Sequence, residues 1–416
     1  MKLKLVLVLM IVTIMTMSLV AYGANSDESI VVAIWDTNQE PGLTKIIEDF
    51  TAATGIKAEI QVTPWNQYWT MLEAGATSGT LPDVFWMNSN EITKYAKYEM
   101  LLDLSEQIAA SDKVDLSKFP NEIVNIYNWQ GKQYAVPKDI DTIALWYNKT
   151  MFDEASIAYP DESWTWDDFR NAAEKLTKAD GSQYGYALTP SGNQSGWYNI
   201  VYDMNGYIIA DRKVSGFDQE GTIKAIEFVT DLVKDGLTPS YETMVENSTF
   251  SLFEAGTIAM TTEGSWMLPE LCNNDYVKEN ADIAVLPKGA TTDRRVSIYN
   301  GLGWSAAANT DKPNEAWKLI EYFGSKIAQQ KQSDLGIVIS AYEGTAVNWT
   351  NAYPDFNLQA YIDMMDDVII RPNSESTVVW ENMSIEKLVD VWTGAKSAAE
   401  VCADIAVEMN AAIAEE

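Results

Sequence analysis

Histidine is absent from this 416-residue chain. That removes the commonest general base, every Ser–His–Asp triad and every His-ligated metal site. Cysteine is nearly absent: Cys272 and Cys402 stand alone. Cys402 shares an apolar helical stripe with Ile405, Ala406 and Met409, which suits a core thiol; a disulfide between the two remains open. Basic residues are few, 29 against 60 acidic ones, for a formal charge of −31. A field of that sign repels nucleic acid and anionic lipid, and no glycine-rich phosphate loop or Walker-type motif offsets it. Long apolar runs are missing except at the start. There "MKLK" precedes "LVLVLMIVTIMTMSLVA" and the small residues Ala21 and Gly23. A basic start, an apolar core too short for a comfortable span, and small residues at its end read as a secretory signal peptide over 1–23, cut before Ala24. The expected product is secreted across the cytoplasmic membrane and works in a periplasmic or cell-surface setting. No cysteine follows the apolar run to carry a lipid anchor.

What is present is a long chain with enough apolar content for two domains. "SIVVAIW" (29–35), "KAEIQVTP" (57–64) and "DVFWMN" (83–88) read as strands. Leu43, Ile46, Ile47 and Phe50 fall at helical spacing between the first two, and Gly55 can close that helix. This alternation predicts a parallel sheet with helices on its faces. It restarts with "TWDDFRNAAEKL", where Thr165 and Asp168 form an approximate capping box, followed by "YGYALT", "GTIKAIEFVTDLVKDG", "GTIAMTT" and "ADIAVLP". The last stretch is helical from Ser384 on. No low-complexity linker separates the halves, so strand-like crossings must join them, and 135–146 is the best candidate.

Several blocks in order then resemble one family. "PWNQYWTMLEAGATSGTLPDVFWMN", "AVPKDIDTIALWYNKTMFDEA", "NQSGWYNIVYDMNG", "LFEAGTIAMTTEGSWM", "NGLGWSAAANTDKPNEAWKLIEYF" and "IIRPNSESTVVWENM" are similar to the extracellular solute-binding proteins of bacterial ABC importers, in the sugar-binding group that includes maltose- and oligosaccharide-binding proteins. The resemblance covers nearly all of the mature chain. It implies an α/β, two-lobed periplasmic-binding-protein fold, each lobe a mainly parallel sheet flanked by helices, with hinge crossings between lobes. Lobe one is expected over 25–140 plus 288–336, and lobe two over 141–287 plus 337–416. The implied function is a receptor that closes on a mono- or oligosaccharide and delivers it to an ABC transporter permease. Neither a cofactor nor a metal, neither nucleic acid nor catalysis is expected, and the protein should be a monomer. Other solutes, such as a polyol or sugar derivative, and a secreted glycoside hydrolase are the alternatives.

A neutral sugar needs hydrogen-bonding groups for its hydroxyls and flat aromatic plates for its C–H faces. Fifteen tryptophans give ample choice, though each could equally pack a core. Trp35 and Asp36 end the first strand, where α/β sheets place ligands; the alternative for Asp36 is a helix cap. Asn88 ends the third strand at the same edge, and the resemblance implies a contact there, against an N-cap role. Asp141 in the crossing matches an acidic contact of the sugar-binding group, with Asp139 the weaker of the pair. Asn193 and Trp197 of "GNQSGWYN" resemble the second-lobe loop that meets the sugar, although "GNQSG" is turn chemistry in any case. Trp266, after Gly-Ser at a strand end, is placed as a stacking platform, with Glu263 nearby to accept hydroxyls. Trp304 lies in "GLGW", whose glycines allow close approach. Arg371 and Trp380 fall in the closing region of lobe two; Arg371 could fork to vicinal hydroxyls, to an acidic sugar or to a neighbouring acid. Trp65 and Trp69 lie one helical turn apart, so one of them should pack inward.

Overall fold

A computed structural model describes residues 29–416; the signal-peptide segment 1–23 lies outside the described residues. Strand Ile30–Ile34 leads into helix Glu40–Thr54, which buries Leu43, Ile46, Ile47 and Phe50 as the spacing predicts and ends on Gly55 at φ +75°. Strand Ala58–Val62, helix Trp65–Ser78 and strand Val84–Met87 follow. The three strands pair in parallel, with Ile30–Ile34 in the middle. Gly303–Ala306 then adds antiparallel to Val84–Met87, and Val136–Pro137 antiparallel to it, completing a five-stranded sheet.

The second lobe is built differently from the mainly parallel expectation. Strand Ile143–Asn148 is buried along its whole length and lies between Met260–Gly264 and Ala281–Ala284, antiparallel to both. The reason is its origin. It arrives straight from the other lobe, with no crossover helix to turn it parallel to its neighbours. "YGYALT" contributes single parallel bridges, Tyr184 to Ile258 and Ala187 to Thr261, rather than a full strand. Helix Trp166–Leu176 starts on a complete capping box, Thr165 with Asp168. The C-terminal helices Thr377–Trp392 and Ala398–Ala414 pack on each other and on Glu220–Lys234. Helix thus begins at Thr377, ahead of Ser384. Cys272 and Cys402 are separate buried thiols, not a disulfide. None of the helices among the described residues is long and apolar enough to cross a membrane.

Three crossings join the lobes, and the first two are hydrogen-bonded to each other. The first runs from Val136–Pro137 in the five-stranded sheet, through Asp139–Ile140, to Ile143 in the second sheet. The second passes Asn300, bridged to Asp141, with Lys138 N–H donating to the Leu302 carbonyl. Ile339–Ser340 of the first lobe pairs antiparallel with Asp139–Ile140, ahead of the third passage, which falls between Asn351 and Asn357. Contacts also locate where the chain changes lobe. Val296 N–H donates to Asp203 and Ile298 N–H to Asn199, which keeps 288–299 on the second lobe. The helical turns Ala346–Asn351 pack on Lys326–Asp334 of the first lobe, and Asn357 then bonds Asp282 and Ile283 of the second. Residues 288–299, expected in lobe one, thus bond to residues expected in lobe two, and 346–351, expected in lobe two, pack on a helix expected in lobe one.

Gly301 sits where two crossings touch: a Cβ there would lie 2.1 Å from the Asp139 carbonyl oxygen. Gly301→Ala is expected to lower stability by about 1–3 kcal/mol, the range for forced overpacking, read from urea unfolding. Unchanged stability would show that the crossings are not tightly packed.

Candidate functional site

Between the lobes, above the crossings, lies a cavity of about 210 Å³. Its aromatic walls come from both sides. Trp35 ends its strand in a nest of rings, with Trp65 at 5.0 Å edge-on and Trp86 at 4.9 Å. Trp65, the first residue of its helix, is 41% exposed and lines the cavity, while Trp69 one turn later packs against the core. From the second lobe comes Trp266, in the helical turn Ser265–Met267. Its position depends on Gly264, where a Cβ would lie 2.0 Å from the indole ring.

The polar wall is assembled mostly by the crossings. Asp139, Asp141, Asn300 and Leu302 all line the cavity. Asp139 is already committed: one oxygen accepts from Lys138 Nζ at 2.6 Å, the other from Leu302 N–H at 2.6 Å. Lys138 is itself fully buried, bonded to Gln39 and held 4.7 Å over the Trp86 ring. Asp141 accepts from Gln194 Nε2 at 2.7 Å. Burial first, then the neighbouring Asp139, holds its carboxyl well above the ordinary range, while Arg371 pulls the other way. Asp36 accepts from Asn38 N–H and Gln39 Nε2, a turn-forming role beside the cavity rather than a helix cap. Asn88 lines the wall and does not cap the helix Ile92–Lys97.

Arg371 is the cationic wall. Its Nη2 donates to both oxygens of Glu381, at 2.8 and 2.9 Å, and both side chains are buried. Asn193 supports this pair, donating to Glu381 at 3.1 Å. Among the described residues, Arg371 Nε and Nη1, Asn300 Oδ1 and Ser265 Oγ are buried without a hydrogen-bond partner. All belong to residues that line the cavity. Orphaned buried polar atoms of this kind are costly, and they cluster in the residues around this cavity.

Of the residues singled out from the sequence, Trp35, Asp36, Asn88, Asp141, Trp266 and Arg371 meet at this cavity. Five do not. Trp197 opens a helix whose seven residues are all buried, and its ring packs edge-on against Tyr198 at 4.5 Å. Trp304 is stacked on Phe323 at 4.1 Å and 9°, inside the first lobe, an aromatic pair worth about 0.5–1.5 kcal/mol beyond its area. The glycine before it does permit close approach, but to Ala135 and Tyr127 in the core. Trp380 is fully buried and donates to Ser374. Asn193 stands behind Arg371, and Glu263 is tied to Thr249. Gln39, Gln194, Ser265 and Asn300 line the cavity without having been singled out. Gln194 was legible as the neighbour of Asn193 in the same turn; uncharged side chains such as Ser265 carry no distinguishing pattern.

The description "Bacterial extracellular solute-binding protein" matches residues 36–330, and the chain belongs to that family, which acts outside the cytoplasm. Within it, the chain is 25% identical over 306 residues to the multiple sugar-binding protein of Streptococcus mutans, covering 70% of each. Its fold is similar to that of a substrate-binding protein from Listeria monocytogenes in complex with cycloalternan, with a TM-score of 0.86, 21% identity, and 93% and 99% of the two chains covered. It is also similar to a solute-binding protein from Thermotoga lettingae bound with α-D-tagatose, with a TM-score of 0.81, 19% identity, and 93% and 100% covered.

Glu263 gives a pH signature. Burial pushes its carboxyl up to about 7, opposed by the Thr249 hydroxyl that donates to it at 2.7 Å. The folded state therefore holds this proton more tightly than the unfolded chain, and stability falls as pH rises from about 4.5 through 7. Glu263→Gln is expected to be more stable than wild type by about 1–3 kcal/mol at pH 8 and equal to it near pH 4, read from urea unfolding at both values. A gain of the same size at pH 4 would contradict this account.

Proposed function

We propose that this protein is an extracytoplasmic receptor that closes on a saccharide and delivers it to an ABC transporter permease, without transforming it. The observation that carries this reading is the meeting, between two lobes, of indole plates with unpartnered donors and acceptors. The indoles offer flat apolar faces for sugar C–H groups. Arg371, Asn300 and Ser265 offer a mix of donors and acceptors that hydroxyls can match and a purely accepting or purely donating ligand cannot. The named ligands of similar proteins, among them cycloalternan and α-D-tagatose, lend support. A signal peptide over 1–23, secretion, and a monomeric state belong to the same reading, with the lobes divided near Asp141, Asn300 and Ala352. Hydrolysis by a carboxylate pair is disfavoured, since both oxygens of Asp139 are occupied and it could not serve beside Asp141 as an acid or base.

Closure supplies the mechanism. Each lobe holds part of the wall, so ligand favours the closed arrangement by its differential affinity for it. Asn38 to Glu270 at 3.1 Å, Asn90 to Glu381 at 3.3 Å and Lys97 to Glu375 at 2.7 Å are direct bonds between the lobes that would favour the closed arrangement.

Trp266→Ala is expected to weaken saccharide binding by roughly 2–4 kcal/mol, the scale of a hot-spot aromatic, measured by calorimetric titration; wild-type affinity would remove its stacking role. Saturating saccharide should shift tryptophan fluorescence and reduce the radius of gyration in small-angle scattering. An unchanged radius would count against closure by ligand.

A further inference from the structure

The same cavity restricts which saccharide it can take, an inference that rests on the reading above. Its volume of about 210 Å³ falls below the roughly 300–1,000 Å³ of pockets for larger ligands. That is space for one sugar ring with its hydroxyls. Beside Trp266, Asn38 reaches over to Glu270. Beside Arg371, Asn90 donates to Glu381 at 3.3 Å, and Lys97 bonds Glu375 further out. Each of these contacts ties one lobe to the other next to a wall residue.

Charge narrows the choice again. The cavity wall carries one cation, Arg371, and a second, Lys138, stands directly behind it. Both are already compensated, Arg371 by Glu381 through two bonds and Lys138 by Asp139. Asp36 and Asp141 also face the cavity, and among the described residues neither has a cation at ion-pair distance. A carboxylate on the ligand would be buried with no free positive partner, in a chain of charge −31, and burying an unpaired charge is strongly unfavourable. A neutral hydroxyl faces no such penalty.

We propose that the site takes a single neutral monosaccharide and discriminates against both longer saccharides and sugar acids. The compensating carboxylate Glu381 is then a positioning residue for specificity: it holds the Arg371 guanidinium by two bonds and cancels the charge that would otherwise attract a uronate.

The test is calorimetric titration of the purified protein with neutral hexoses and pentoses, with maltose, maltotriose and raffinose, and with D-glucuronate and D-galacturonate. The expected result is at least one neutral monosaccharide bound tenfold or more tightly than every di- or trisaccharide and than its own uronate. A trisaccharide bound as tightly as the best monosaccharide would overturn the size restriction, and a uronate matching its neutral parent would overturn the charge restriction; either result leaves the receptor reading standing. No binding by any carbohydrate would instead remove the receptor reading itself, and this inference with it. Glu381→Gln adds a second arm in protein shown by circular dichroism to be folded. Uronate affinity should rise at least tenfold over wild type, and an unchanged uronate affinity would contradict the role given to Glu381.

Discussion

The site depends on one constraint, the lateral hydrogen bonding of three chain segments at the junction of the lobes. Asp141 pairs with Asn300, Asp139–Ile140 with Ile339–Ser340, and Lys138 with Leu302. Backbone polar groups at the floor of a cleft need partners, and here each segment supplies them to the next. The arrangement sets Asp139, Asp141, Asn300 and Leu302 at the bottom of the cavity, while the bodies of the two lobes supply the side walls. It also confines relative motion of the lobes to a few backbone positions, as a hinge requires.

Burying so many charges at that floor creates a second constraint. Lys138 is enclosed by Asp139, Gln39 and the Trp86 face; Arg371 by Glu381 and Asn193. Buried pairs of this kind contribute little net stability over apolar packing but are expensive to break. Their value here is geometric. Nη2 of Arg371 is fixed on both oxygens of Glu381, so the guanidinium is held in one orientation at the cavity wall.

Much of the first lobe was legible because its strands and helices alternate with clean periodicity, and Leu43, Ile46, Ile47 and Phe50 pack as their spacing implies. The second lobe was less so. Nothing in the apolar run Ile143–Asn148 distinguishes parallel from antiparallel pairing, which depended on the chain entering from the other lobe. The site divided along a similar line. Residues at strand ends and in the crossing, such as Trp35, Asn88 and Asp141, reach the cavity because topology puts them there. Trp197, Trp304 and Trp380 have polar or glycine neighbours in sequence yet are fully buried, the first two against Phe217 and Phe323. An indole beside a loop residue has no local signal for which way it faces, and Gln39, Ser265 and Asn300 have no signal at all until the fold brings them together.

The central claim is that the two lobes hold a sugar ring between indoles and the Arg371–Asp141 wall. A crystal structure of the protein soaked or grown with its preferred saccharide tests this most directly. The account predicts density for one ring against Trp266, with hydroxyls within hydrogen-bonding distance of Arg371 Nη1 and Asp141. Density for the saccharide on an outer face of either lobe, with this cavity filled by solvent alone, would contradict it.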